Sequence, residues 1–178
     1  MFKRRYKYKY GLRKSKKRYS NETTSFTFKD TGITGTTTGP VKESKLGQIL
    51  VQSATLQGTR KVKNMTLSIT SFGNTVPLYC AVVYCPGGTA PSSLTPGSDS
   101  LRVGSELYEP NQNVIMQFMM NPVKTDTMVN TQVQTFKTRL ARNLDSNDYI
   151  ALIYCPAIAS ATDQDIQVSG TFNYAIAY

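Results

Sequence analysis

Along most of this chain apolar and polar residues alternate with a period of two. In 62–72, Met65, Leu67 and Ile69 are interleaved with Thr66, Ser68 and Thr70. In 166–178, Ile166, Val168, Phe172, Tyr174, Ile176 and Tyr178 share one side, and Gln167, Ser169, Thr171 and Asn173 share the other. A helix would scatter those apolar groups around its circumference, whereas an extended strand gathers them on one face. Two runs are apolar throughout, Leu78–Tyr84 and Tyr149–Tyr154. They are short and rich in β-branched or aromatic residues, so they predict strands buried on both faces. Phe26 and Phe28 alternate within the polar stretch Ser20–Pro40 and predict a short strand at about 24–29, with Thr34–Pro40 as loop. Further strands are expected at about 47–56, 113–120 and 128–140.

Turn formers separate these runs: Pro86-Gly87-Gly88, Pro91, Pro96-Gly97, Glu109-Pro110-Asn111, Asn121-Pro122 and Ser146-Asn147-Asp148. Thr89–Ser100 reads as a long polar surface loop, and no helix of three turns fits anywhere. At most a helical turn is expected, around Ser92–Leu94 or Val103–Leu107. Eight strands joined by loops of unequal length predict an all-β fold, an eight-stranded two-sheet sandwich with the jelly roll as leading topology. Loops at 87–104, 121–127 and 156–165 should lie at the ends of such a sandwich.

Charge divides the chain in two. Of its 21 basic residues ten fall in 1–18, a segment with no acid; the other eleven are balanced by eleven acids beyond it. The reading is a basic arm over 1–19 and a neutral shell domain over 20–178. The arm carries Lys3, Arg4, Arg5, Lys7, Lys9, Arg13, Lys14, Lys16, Lys17 and Arg18. Such a density of like charge repels itself and predicts disorder in the absence of a polyanion. The alternation Arg5-Tyr6-Lys7-Tyr8-Lys9-Tyr10, if extended, puts phenol rings on one side and cations on the other. That suits base stacking beside phosphate pairing, with no base-specific code. Lys14, Lys16, Lys17 and Arg18 also fit a nuclear-import signal, and the two roles are compatible. Arg60, Lys61 and Lys63, at a strand start, either extend a nucleic-acid surface or protect an exposed edge. Arg139 and Arg142, near the end of the predicted 128–140 strand, carry the same two readings.

Much chemistry is excluded. The chain has no His, so His-dependent hydrolytic and transfer machinery and Cys/His zinc sites are absent. Three cysteines are too few for a disulfide framework. Cys80 and Cys85 should face opposite sides of their strand, and all three thiols read as small buried hydrophobes rather than nucleophiles. The acid pairs Glu106/Glu109, Asp145/Asp148 and Asp163/Asp165 are near neighbours in loops and mark no cleft. No Gly-rich phosphate loop occurs, no run of 18 apolar residues exists, and no apolar stretch of a secretory signal follows the basic start. The expectation is a protein that is not an enzyme, uses no cofactor or metal, and does not insert into a membrane.

Several segments carry a resemblance. After the Arg/Lys/Tyr arm come Gln52–Asn64 (QSATLQGTRKVKN), Ala81–Thr89 (AVVYCPGGT), Leu107–Ile115 (LYEPNQNVI) and Arg139–Ile150 (RLARNLDSNDYI). In this order they resemble the capsid proteins of circular Rep-encoding single-stranded DNA viruses, the circovirus-like group. Many relatives have Gly-Asp where this chain has Asn147-Asp148, and Asn accepts the same turn. The body is also shorter than in the best-known circoviruses. The resemblance implies a jelly-roll subunit of an icosahedral shell, most simply sixty copies, with arms pointing inward onto circular single-stranded DNA. It implies copies of itself, the genome and the host nuclear-import machinery as partners, and the virion and, during assembly, the host nucleus as locations. The alternative from the residues alone is a non-capsid single-stranded nucleic-acid-binding β protein, monomeric or a small oligomer.

Overall fold

A computed structural model of the chain describes residues 19–33, 45–52, 58–88, 113–122, 132–157 and 164–177. The described residues form β1 (Tyr19–Ile33), β2 (Lys45–Val51), β3 (Arg60–Phe72), β4 (Leu78–Cys85), β5 (Asn113–Met120), β6 (Gln134–Thr138), β7 (Arg142–Leu144), β8 (Tyr149–Pro156) and β9 (Gln164–Ala177), with one 3-10 turn at Pro86–Gly88. One sheet has the order β1-β9-β3-β6, with β7 also on β3; the other has the order β2-β8-β4-β5. Every pairing is antiparallel. The pairing is nested: β1 lies on β9, β2 on β8, β3 on β6 and β7, and β4 on β5.

The inward faces of both sheets build one core. Phe26, Val62, Met65, Leu67, Ile69, Leu144, Ile166, Val168, Phe172, Tyr174 and Ile176 come from the first sheet. Ile49, Leu78, Cys80, Val82, Ile115, Phe118, Met120, Ile150, Leu152 and Tyr154 come from the second. The chain is thus a two-sheet antiparallel β sandwich. Each such side chain taken wholly out of water contributes about 1.5–3 kcal/mol, which is what makes the alternation decisive for the fold.

Two close approaches join the layers along one edge. The Phe28 ring of β1 lies where a Cβ on Gly47 of β2 would collide with it, so any side chain there would have to displace the ring. Phe28 also stacks on Tyr154 of β8, with centroids 6.4 Å apart, and the Tyr154 hydroxyl donates to Asp30 Oδ2 on β1. Within the first sheet, Phe26 stands opposite Gly170 of β9 and its ring covers the place of the missing side chain.

The strands correspond to the eight expected from sequence, with three differences. β1 runs for fifteen residues, not six. Its polar flanks stay extended because they continue the ladder with β9 from Tyr19↔Ala177 to Asp30↔Ile166. Tyr19 therefore belongs to the body, one residue inside the boundary expected for the arm. The predicted 128–140 strand is, within the described residues, β6 alone, and a ninth strand, β7, follows it. β7 has only three residues, too few for alternation to register, and exists because Arg60, Lys61 and Val62 supply its partners. β2 ends at Val51 rather than at 56. β4 and β8 are buried almost throughout, as their apolar runs require, because they are the two central strands of the second sheet. The expected loops Thr34–Pro40 and Thr89–Ser100, both helical turns, and most of the loop segments 87–104, 121–127 and 156–165 lie outside the described residues.

Asp148 ties the turn before β8 to its neighbours. It is buried at 3% exposure. Its carboxylate accepts from the Tyr84 hydroxyl at 2.5 Å, from Gly87 N–H at 2.7 Å and from Asp145 N–H at 2.7 Å. Its backbone carbonyl accepts from Gln52 N–H at 2.9 Å. Burial opposes the charge, but the hydrogen bonds from Tyr84, Gly87 and Asp145 outweigh it and hold the carboxyl below its ordinary value of 3.8. A lowered value means that this stabilisation is complete above the ordinary carboxylate range and is lost as pH falls through the lowered value. Asp148→Ala is expected to cost about 2–4 kcal/mol in urea unfolding of the full chain at pH 7, and the deficit relative to wild type should shrink as pH falls from the ordinary carboxylate range through the lowered value. A deficit that stays constant through that fall in pH would remove the carboxylate from this role.

Candidate nucleic-acid interface

The basic arm residues Lys3, Arg4, Arg5, Tyr6, Lys7, Tyr8, Lys9, Tyr10, Arg13, Lys14, Lys16, Lys17 and Arg18 lie outside the described residues. The residue to which they are joined is described. Tyr19 pairs with Ala177 of β9, and Ala177 pairs on its other side with Lys61 of β3. Lys61 in turn pairs with Asn143 of β7. The root of the arm and the second basic cluster therefore stand in one row across four strands, although residues 20–59 separate them in sequence. At a strand spacing of ~4.8 Å, Tyr19 and Lys61 are about 10 Å apart.

The alternation of β3 sorts the cluster. Val62 points into the core, so Lys61 and Lys63 point outward. Lys61 is exposed, and the Lys63 ammonium sits over the Tyr19 ring, 3.4 Å from its centroid. Tyr19 is still 41% exposed. Arg60 shares the inward side with Val62 and lies near Tyr174, whose hydroxyl donates to Glu22 Oε2 at 3.3 Å. Of the three predicted residues, Lys61 and Lys63 face the surface, and Arg60 sits at the rim of the core near Tyr174.

The same outward face carries a carpet of short polar side chains: Asn21, Thr23, Ser25 and Thr27 on β1, Ser169, Thr171 and Asn173 on β9, and Thr66, Ser68 and Thr70 on β3. Thr23 donates to Asn173 Oδ1 at 2.5 Å, and the Ser68 and Thr135 hydroxyls are 3.2 Å apart. Lys137 and Arg139 are exposed at its far edge, Lys137 paired with Thr66. Arg139 follows β6 and Arg142 opens β7, so the extended run on which both were expected to lie is broken between them. Arg142 Nη1 donates to the Ala141 carbonyl at 3.1 Å, and Arg142 shares the inward side with Leu144. Six of the eleven basic residues outside the arm thus gather on β3 and the β6–β7 edge. A neutral total conceals this segregation. Lys137, and Tyr19 as an aromatic platform, went unmarked in the sequence; the spacing Thr135-x-Lys137-x-Arg139 is the one local sign that the first two charges share a side.

The other candidate groups have structural partners. Asp148 is the hub already described, and Asp145 accepts from the Thr59 hydroxyl. Asp165 accepts from Gly32 N–H at 2.9 Å. Asp163 and the pair Glu106/Glu109 lie outside the described residues. Cys80, Cys85 and Cys155 are free and buried. Burial pushes the Cys80 thiol well up and raises Cys85, against the opposing hydrogen bond with Tyr149. Thiolate chemistry is disfavoured at both. Cys80 faces the shared core and Cys85 the opposite side of the sheet. No protein-family model and no curated protein matches the chain.

The Lys63–Tyr19 contact should register as coupling. In a double-mutant cycle of Tyr19→Ala and Lys63→Ala, urea unfolding is expected to give about 0.5–1 kcal/mol of interaction. Strictly additive losses would show that the ammonium is held elsewhere in solution.

Proposed function

We propose that this chain is a capsid subunit: a jelly roll that self-assembles into a small icosahedral shell, most simply of sixty copies, and packages circular single-stranded DNA through its basic arm. The observation that carries the reading is the junction at Tyr19. A segment of net charge +10 joins the first residue of an edge strand, beside Lys61 and Lys63, on a body whose remaining charges sum to zero. The nested pairing supports the jelly-roll topology. One long antiparallel ribbon, turned back between β4 and β5 and then rolled up, produces pairs of this kind, and rolling adds the contacts β3 with β9 and β4 with β8. Exposed Val51, Phe72, Met119, Val133 and Leu140 supply apolar surface for contacts between copies.

The division of labour is physical. The arm supplies counter-charge, and the body supplies surface. Sixty arms would bring about 600 positive charges against about 600 phosphates. The reading includes nuclear import through Lys14, Lys16, Lys17 and Arg18, residence in the virion and in the host nucleus during assembly, and no enzymatic activity. A second reading, a small single-strand-binding β protein without a shell, draws on the exposed cations of β3 and the β6–β7 edge.

Deletion of residues 2–18 is expected to leave a folded body that forms empty shells or none and retains no DNA, read by electron microscopy and absorbance ratio of purified particles. The intact chain should bind single-stranded DNA with a log–log salt slope of roughly −7. Deleted particles still carrying a full complement of nucleic acid would refute the role of the arm. An intact chain that stays a single ~20 kDa species under assembly conditions would favour the second reading.

A further inference from the structure

We propose that the notch between β6 and β7 is a phosphate-binding site for a single nucleic-acid strand, a station on the body that continues the path of the arm. This rests on the nucleic-acid reading above and assigns it a second site. β3 is paired with β6 over Met65–Ile69 and with β7 over Arg60–Val62. Between them, Lys63 and Asn64 have no strand partner on that edge, and Arg139–Ala141 pass outside the ladder. The same place holds a bulge on the other side of β3, where the register with β9 shifts between Lys63 and Thr66. Asn64 adopts φ 51°, a left-handed conformation that asparagine tolerates, and is exposed.

The interruption opens a cavity of about 370 Å³ lined by Asn64, Met65, Thr66, Lys137, Thr138 and Arg139. That volume accepts a group of nucleotide size. Its walls carry two cations and no carboxylate. A guanidinium fork and an ammonium two residues apart suit a phosphodiester, with the Asn64 amide and the Thr66 hydroxyl as further polar groups. The Thr138 hydroxyl is already engaged, accepting from Leu140 N–H at 3.1 Å. Lys63 and Lys61 lead from this notch back to Tyr19 on the same outward face. The separation from notch to arm root is about 15–20 Å by strand spacing and rise, so one strand held by the arm can reach it. The ligand class is single-stranded nucleic acid, taken by its backbone and without base readout.

The test uses the full chain and a 20-residue oligo-dT. Lys137→Gln with Arg139→Gln is expected to weaken binding about tenfold at 150 mM salt and to make the salt slope shallower by roughly 1.4, the value for two phosphate contacts on a single strand. Lys29→Gln, exposed on the same outward side but at the far end of β1, serves as the control for loss of a surface charge away from the notch, one charge against two, and should change affinity less than twofold. Both notch residues are exposed, so the urea midpoint should not move. An unchanged affinity and slope in the double variant, with wild-type binding intact, would overturn the notch and leave the arm standing. A loss no greater than the Lys29→Gln change would do the same. No binding by the wild-type chain would overturn the nucleic-acid reading and the notch with it. If the double variant loses a heparin oligosaccharide but keeps oligo-dT, the notch serves a sulfated polysaccharide and the assignment falls.

Discussion

The register of β9 is the constraint on which the rest depends. β9 lies between β1 and β3 and fixes both. Its inward row of Ile166, Val168, Phe172, Tyr174 and Ile176 is buried, so a slip of one residue would turn that whole row to the outer face. The row is interrupted at Gly170, and Phe26 from β1 fills the gap. This local fit ties β1 to one register. With both registers set, Tyr19 and Lys61 must meet across Ala177, and the arm must leave the body beside the basic start of β3. The position of the proposed interface is thus a consequence of core packing and not of any attraction between its charges, which repel.

The two sheets share a core but have unlike outer faces. In the first sheet that face is hydroxyls, amides and scattered cations. On the central strands of the second, β4 and β8, it is Tyr79, Ala81, Val83, Cys85, Tyr149, Ala151, Ile153 and Cys155, all buried. Tyrosine chemistry reflects this setting: burial, with Cys85 beside it, pushes the Tyr149 hydroxyl up to about 12. The uninterrupted apolar runs of β4 and β8 follow from this arrangement, since a central strand apolar on both sides has nowhere to put a polar residue. Six cations gather on β3 and the β6–β7 edge of the first sheet, while the body as a whole stays neutral.

Much of this was legible in the residues themselves. Alternation marks β3 and β9, apolar runs mark β4 and β8, and the facing of Cys80 and Cys85 follows from their odd spacing in a strand. The polar flanks of β1 were not legible, because Tyr19–Thr24 and Thr31–Ile33 contain no apolar alternation and are extended only because β9 supplies their hydrogen-bond partners. β7 was hidden for the same reason, its three residues being ordered by the start of β3. Arg60, Lys61 and Lys63 look alike as a run of charge. On a strand with Val62 inward, the first is divided from the other two.

What the sequence determined by itself is local: which residues prefer extended backbone, which side of each strand is apolar, and that all the net charge resides in eighteen residues. These depend on side-chain chemistry and a fixed period of two. Which strands become neighbours was decided only in three dimensions, since Tyr19 and Ala177 stand at opposite ends of the described chain and no local period relates them. The break between β6 and β7, the bulge at Asn64 and the gathering of Lys137 and Arg139 beside Lys63 arise from that long-range pairing, where burial of one shared core selects a single arrangement from many with the same strands.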